Sequence, residues 1–271
     1  LPYNNGLVLI KRIYKFLVPE SWRISLRESA IKFAAPLYYG NRFTCNCCKR
    51  SFRKFFPKGH IRRLNAQCPY CMSLERTRVL DLFLDRELGV YNKNGLKILH
   101  FAPEKALVKK LSKMPGVEYV DADINPAFAG NVIDIESIPF EDDYFDLIVC
   151  SHVLGHVKDE AAAVDEMYRV IKPGGLALVM TLLSDREDTF EDPAIKTEED
   201  RLQNYGEYDL QRLHGLDFSS RLEKGGFSVE VIDYRKKFSP EFQLKHALGD
   251  GVREKIFKCT KGQPGISRPA T

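Results

Sequence analysis

At 271 residues, with 44% hydrophobic and 29% charged side chains, the chain has an ordinary globular composition and enough length to bury a sizeable core. No apolar run reaches the ~18 residues that a membrane-crossing helix needs. The apolar start is broken by Lys11 and Arg12 and lacks a small-residue cleavage site, so no signal peptide is expected. The net charge of +4 hides a division: residues 1–74 hold 14 Lys and Arg against Glu20 and Glu28, which is +12, while the remainder carries −8. Such asymmetry suits a basic module with an acidic partner, joined to a different kind of domain. Metal-bound thiolates would offset part of the excess.

In chain order, residues 7–18 fit a short amphipathic helix with Lys11, Arg12 and Lys15 on one side and Leu9, Ile10, Ile13, Phe16 and Leu17 on the other. Pro19 ends it, and residues 20–39 offer a second helical stretch. Two readings stand for these helices: packing on the rest of the chain, or docking on an anionic membrane surface. Five of the seven cysteines follow between Cys45 and Cys71. Cys45-x-x-Cys48 and Cys68-x-x-Cys71, nineteen residues apart, have the spacing of two tight turns that complete a tetrahedral Zn²⁺ site. Four sulfur ligands make such a site closed and structural. Cys47 is a spare, and Cys150 and Cys259 read as small buried hydrophobes. This usage argues for metal in a reducing cytoplasm over a secreted disulfide framework.

Around the cysteines, Lys49, Arg50, Arg53, Lys54, Lys58, His60, Arg62 and Arg63 alternate with Phe43, Phe52, Phe55, Phe56 and Tyr70. Bases mixed with rings suit single-stranded RNA, or an anionic glycan with rings against sugars. The alternative makes Phe52, Phe55 and Phe56 the small core of a ribbon and leaves the bases as a solvated anion-binding face.

Residues 73–91 predict a helix with Leu80, Phe83, Leu84 and Leu88 on one face. Strands and helices then alternate: strands at 97–102, 117–124, 131–135, 145–151 and 176–183, helices at 106–113 and 159–171, with Pro173-Gly174-Gly175 as the turn before the fifth strand. That rhythm calls for an α/β, doubly wound, mostly parallel sheet. Strands at 228–234 and 254–260 have no convincing helix between them and are expected to pair antiparallel.

In an open α/β sheet, ligands sit beyond the carboxyl ends of the strands. The first strand ends at His100-Phe101-Ala102-Pro103-Glu104, with no glycine until Gly116, so no dinucleotide fingerprint is present. Asp121 and Asp123 close the second strand, where a carboxylate can accept hydrogen bonds from both ribose hydroxyls. Asp134 closes the third, next to Ile135, a pairing suited to the amino group and flat face of adenine. Taken singly, each acid could equally be a cap or turn former.

The runs IPFEDDYFDLIVCSHVLGHV and DEMYRVIKPGG resemble the core of class I S-adenosylmethionine methyltransferases. ILHFAPE, TFEDP, DRL, GLDFSSRLEKGGF and EKIFKCTK are similar to one branch, in which a cysteine-rich segment precedes the methyltransferase and HFAPE replaces the glycine-rich loop. The resemblance covers roughly residues 43–261. It implies a seven-stranded Rossmann-like methyltransferase sheet, S-adenosylmethionine as cofactor, and Ala102, Pro103 and Glu104 at the usual place of the glycines. Glu104 would then bind the methionine amino group. The expected organisation is an amphipathic helical segment at 1–39, a zinc-ribbon-like module at 40–72, a methyltransferase domain at 73–261 and a flexible tail at 262–271. The branch usually carries Glu where Gly155 stands and His where Leu210 stands, both near the expected active site.

Methyl transfer is an in-line displacement, and an alcohol acceptor must also lose a proton. His152, just past the fourth strand, is the expected general base or acceptor-positioning group and also borders the cofactor. Asp209 and Arg212 are further acceptor-side candidates, Arg212 because its fork suits a carboxylate or phosphate. His214 stands beside them, and residues 184–193 read as a substrate lid. The branch resemblance implies a cytoplasmic enzyme, or one peripheral at the inner membrane surface, that O-methylates a saccharide or phosphosaccharide in surface-glycan synthesis. The basic amino-terminal part is consistent with that acceptor. RNA methylation is the second reading, although no Asn/Asp-Pro-Pro-Tyr signature or nucleophilic cysteine is present. A third is a non-catalytic binding protein with a decayed cofactor loop.

Overall fold

The computed structural model describes residues 18–59 and 62–263. The helix expected over 7–18 lies outside them save for its last residue, as does all of the tail beyond residue 263. Helix α1 (Glu20–Ala34) starts after Pro19, runs into a 3-10 turn (Ala35–Tyr38) and hands over to the cysteine region. Its Trp22, Leu26 and Phe33 are exposed, so among the described residues none covers this apolar stripe. Two antiparallel pairs make up the cysteine region: β1 (Tyr39–Thr44) with β2 (Ser51–Phe52), and β3 (Phe56–Lys58) with β4 (Arg63–Gln67). Phe43, Phe52 and Phe55 fill its small core together with Ala35, Cys45 and Cys68.

Helix α2 (Glu75–Leu82) follows, its first turn closed by Thr77 Oγ1, which accepts from the Leu74 amide, and its end widened into a π-turn over Phe83–Glu87. Then come β5 (Lys97–Phe101), α3 (Lys105–Leu111), β6 (Glu118–Asp123), β7 (Asn131–Val132), β8 (Phe145–Ser151), α4 (Glu160–Val170) and β9 (Ile171–Met180). Asp159 caps α4 by accepting from the Ala162 amide. The last third holds α5 (Glu198–Tyr205), α6 (Phe218–Lys224), β10 (Ser228–Ile232), α7 (Pro240–His246) and β11 (Ile256–Thr260).

Seven strands form one sheet in the order β10-β11-β9-β8-β5-β6-β7, parallel from β7 to β9, with β11 inserted antiparallel between β9 and β10. Alternation along the inner strands builds a core on each face. Leu99, Phe101, Ile148, Cys150 and Val179 pack under α4 and α6, whereas Ile98, Val149, Leu178 and Met180 pack under α2 and α3. This is the Rossmann-like methyltransferase sheet that the resemblance implies.

Two details differ from the expectations. Pro173-Gly174-Gly175 lies inside β9 rather than before it, where the register against β8 shifts between Phe145 and Leu147. A helix, α7, does occupy the space between the last two strands. It buries none of its residues, so it has no amphipathic signature to read.

Arg78 joins the parts. Fully buried, it donates to the carbonyls of Ser73 and Ala66 beside the cysteines and to those of His246 and Ala247 after α7. The cysteine region is therefore bolted to the domain through buried, charge-assisted hydrogen bonds.

Candidate cofactor cavity and cysteine centre

At the carboxyl ends of β5, β6 and β8 lies a cavity of about 460 Å³, lined by Ala102, Asp123, Ile124, Phe128, Ile133, Asp134, Ile135, His152, Val157 and Asp209 among others. Strand polarity puts it at the switch point, because β5 is followed on one side by β6 and on the other by β8. Two residues on its rim sit in the left-handed region without being glycine: Ala102 (φ 45°) and His152 (φ 58°). Ala102 thus adopts the backbone that a glycine loop would provide, and the strain falls at the site. Pro103 continues the bend without lining the cavity.

The strand-end acids separate. Asp123 lines the cavity and accepts from the Asn125 amide at 2.8 Å. Asp121 does not line it; its oxygens accept from Gly130 N at 3.0 Å and Asn131 Nδ2 at 3.1 Å, pinning the loop that follows β6. Asp134 faces the cavity from an Asx turn that accepts the Glu136 amide, with Ile135 buried beside it.

Glu104 lies around the corner, on a neighbouring cavity of about 580 Å³ that also meets Phe128. Its Oε2 accepts from His100 Nε2 at 3.1 Å, and fully buried His100 is held in turn by the Tyr119 hydroxyl at 2.9 Å. Burial alone would push the Glu104 carboxyl up, but the hydrogen bond and charge of His100, with Arg76, hold it below the usual carboxylate range.

On the acceptor side, the His152 Nε2–H donates to the Arg253 carbonyl at 3.2 Å, which leaves Nδ1 as the basic nitrogen. Burial, reinforced by the positive charge of Arg76, pulls His152 well below the usual imidazole range, so the ring is neutral at physiological pH. Asp209 is exposed at the rim, 3.5 Å from His156 Nδ1. His156, Glu207 and Asp209 bring three possible ligand atoms within 4.8 Å of one another, but Arg253 already neutralises Glu207 at 3.2 Å. Gly155 and Leu210 meet directly: a Cβ on Gly155 would stand 2.7 Å from Leu210 Cδ2. The two positions at which the resemblance leads one to expect Glu and His thus touch each other beside His152.

Arg212 does not face an acceptor, which corrects the expectation for it. Its five N–H groups are spent on Glu191 (3.0 and 2.8 Å) and on the carbonyls of Leu154, Val157 and Lys158 (2.8, 2.8 and 2.9 Å), at 2% exposure. His214 is also buried, between Thr181 Oγ1 at 2.7 Å and Glu160 Oε1 at 2.6 Å.

The loop carrying Arg253 is anchored by Glu254, 1% exposed, whose Oε2 accepts from the Gly251 amide at 2.7 Å. Burial, helped by Asp250 and Glu75, pushes its carboxyl from 4.5 to about 7. A raised carboxyl costs nothing below its unfolded value and costs stability fully once pH exceeds the folded one. Glu254→Gln is therefore expected to gain on the order of 2–3 kcal/mol over the wild type at pH 8 and nothing near pH 4.5, read as a flattened pH dependence of urea midpoints.

Each CxxC forms the same knuckle. Lys49 N donates to Cys45 O and Met72 N to Cys68 O, while Cys45 N and Cys68 N donate to Arg50 O and Ser73 O; Lys49 and Met72 take positive φ. The four Sγ atoms of Cys45, Cys48, Cys68 and Cys71 cluster, with Cys45–Cys71 at 3.5 Å and Cys48–Cys68 at 3.8 Å. A tetrahedron with Zn–S bonds of about 2.3 Å has S–S edges of about 3.8 Å, so the donor set fits Zn²⁺. Cys47 stays outside the cluster, and burial pushes its thiol up.

Comparison with known proteins bears on the domain and its fold. Residues 97–179 match the family model for a methyltransferase domain. The chain is 40% identical over 93 residues to the ubiquinone/menaquinone biosynthesis C-methyltransferase UbiE of Proteus mirabilis, covering 27% of this chain and 37% of that one. With its counterpart from Vibrio vulnificus it shares 51% identity over 45 residues, 17% of each. The chain thus spans well under half the length of these relatives. Among solved structures, the 4+2 cyclase SpnF aligns over 90% of this chain and 96% of its own with a TM-score of 0.50 and 13% identity, a likeness of fold alone. An S-adenosylmethionine-dependent methyltransferase from Mesorhizobium loti aligns over 67% of this chain and 99% of its own at a TM-score of 0.45 and 14% identity. Residues 97–179 thus match a methyltransferase domain, set within the seven-stranded sheet described above.

Proposed function

We propose that the protein transfers a methyl group from S-adenosylmethionine to a hydroxyl of a saccharide or phosphosaccharide, with a structural Zn²⁺ held by Cys45, Cys48, Cys68 and Cys71. The observation that carries this reading is the cavity at the switch point, which Asp123, Asp134, Ile135 and His152 all line. Asp123 would accept from the ribose hydroxyls. Asp134 would accept from the adenine amino group, with Ile135 against the ring. The cofactor supplies an electrophilic methyl group when bound. His152 Nδ1, on a neutral ring that lines the cavity, would take the proton of an alcohol acceptor, while its Nε2–H keeps the ring oriented through Arg253 O.

An anionic acceptor is supported by the adjoining cavity, which Arg27 and Lys58 line while Glu28 there is paired with Lys105. Burial and the charges of Arg27, Arg76 and Arg63 pull the Lys58 ammonium below its usual range, as expected where cations converge. The exposed Trp22–Leu26–Phe33 stripe supports peripheral membrane contact with a lipid-linked acceptor. RNA is less well served: Phe43, Phe52 and Phe55 are buried, and Arg50 already covers the Tyr70 ring at 3.4 Å. Few rings remain on which bases could stack.

Titration calorimetry with S-adenosylhomocysteine tests the cofactor reading. Asp123→Ala is expected to weaken binding at least tenfold through loss of charge-assisted hydrogen bonds, about 1.5–3 kcal/mol. Absence of wild-type binding at millimolar ligand would overturn it. Labelled methyl transfer to a panel of neutral and phosphorylated saccharides then tests the acceptor, and activity on RNA alone would sink the saccharide assignment.

A further inference from the structure

Three buried polar atoms near the carboxyl ends of β5 and β8 lack a hydrogen bond of good geometry, Arg76 Nε, Glu104 Oε1 and Ser151 Oγ, although Ser151 lies close enough to Glu104 to favour its ionised form. Orphans of this kind are costly and call for an explanation. Arg76 Nε and Glu104 Oε1 stand 3.7 Å apart, too far for a hydrogen bond, so the two charges face each other without closing. Neither is free to swing away: Glu104 is tied to His100, and Arg76 is carried on α2 two residues before Arg78, which is locked to four carbonyl-bearing neighbours. Ser151 is the residue before His152, which lines the cofactor cavity, while Arg76 and Glu104 line the adjoining cavity, and Phe128 borders both.

A ligand that presents an anion and a cation on one carbon satisfies all three atoms at once. An α-amino acid zwitterion has this pattern, and the cofactor ends in one. The geometry points to Arg76 and Glu104 as a clamp on the amino-acid end of S-adenosylmethionine, Arg76 donating to the carboxylate and Glu104 accepting from the ammonium, with Ser151 completing the set; this rests on the cofactor reading above. The clamp gives the missing glycine loop a substitute. Backbone amides that would cradle the methionine end are replaced by a side chain from outside the nucleotide-binding half, on the helix that leaves the second cysteine knuckle. Ionised Glu104 is needed for this, and His100 together with Arg76 keeps it so.

The test uses three ligands on the full chain, by calorimetry. S-Adenosylhomocysteine has the whole zwitterion, decarboxylated S-adenosylhomocysteine keeps only the ammonium, and 5′-methylthioadenosine has neither. The wild type is expected to bind the first at least tenfold tighter than the second, a comparison that needs no variant. Arg76→Gln is expected to weaken S-adenosylhomocysteine about 10- to 100-fold while leaving 5′-methylthioadenosine within twofold. Glu104→Gln should do the same to both ligands that carry the ammonium. Equal weakening of all three ligands by Arg76→Gln would assign Arg76 a purely structural role and overturn the clamp, as would unchanged affinity for S-adenosylhomocysteine. If the wild type binds none of the three, the cofactor reading falls and the clamp with it. Should Arg76→Gln fail to fold, wild-type indifference between the first two ligands overturns the clamp by itself.

Discussion

Arg212→Ala is expected to destabilise the protein by about 3–5 kcal/mol, lowering the melting temperature on the order of 10 °C. The substitution strips five donors from a site that is 2% exposed. Three carbonyls, of Leu154, Val157 and Lys158, lose their partner, and Glu191 loses the fork that neutralises it. Buried acceptors left unpaired cost their full desolvation, far more than the net worth of the bonds. Arg212→Lys should recover only part of this loss, because one ammonium cannot reach five acceptors in a plane. The carbonyls belong to the turn that brings His156, Val157 and Lys158 to the cofactor cavity, so binding of S-adenosylhomocysteine should weaken alongside stability. A variant that melts like the wild type but shows a raised KM for an anionic acceptor would show that Arg212 touches substrate after all.

The misplacement of Arg212 shows what a sequence conceals. A guanidinium fork fits carboxylate, phosphate and a ring of peptide carbonyls equally well, and only the fold says which of them surrounds it. Asp121 and Asp123 pose a related problem. Both lie at the end of β6 two residues apart, yet the loop returning through Gly130 and Asn131 captures Asp121 and leaves Asp123 for the cavity. Strands β5, β8 and β11 were legible because each is a run of buried apolar residues bounded by turn formers. Helices α5 and α7 were not, since each is short and buries little: Tyr205 alone in the first, nothing in the second. Their polar caps, Thr197 and Ser239, were the remaining signal. Glu104 was placed by resemblance, whereas Arg76 had no local cue, being 28 residues upstream and joined to Glu104 only by the packing of α2 beside α3. Gly155 and Leu210 likewise read as two unrelated positions until their contact is seen.

Removing the metal is expected to unfold the cysteine region and to loosen the cofactor site with it. The region's own core is six buried residues, two of them cysteines, which is too little apolar surface to hold residues 39–73 against chain entropy. Four sulfur atoms within 4.8 Å of one another would repel as thiolates once the ion is gone. Structural zinc sites contribute apparent binding free energies of about 10–16 kcal/mol, so with Zn²⁺ as its ion the region would fold by binding it. Elemental analysis should return one zinc per chain, falling well below one in Cys68→Ala. A chelator strong enough to strip the site should cost β signal in the far-ultraviolet and lower the melting temperature, and added Zn²⁺ should restore both. The effect should not stop at the knuckles, because Ser73 and Ala66 accept from Arg78 and α2 begins at Glu75, four residues after the last ligand. Freed of those anchors, Arg76 no longer faces Glu104 at a fixed distance. Affinity for S-adenosylhomocysteine should then fall on stripping while affinity for 5′-methylthioadenosine holds. A metal-free chain with wild-type melting and wild-type discrimination between the two ligands would show that the four cysteines need no ion, and that α2 keeps its place without them.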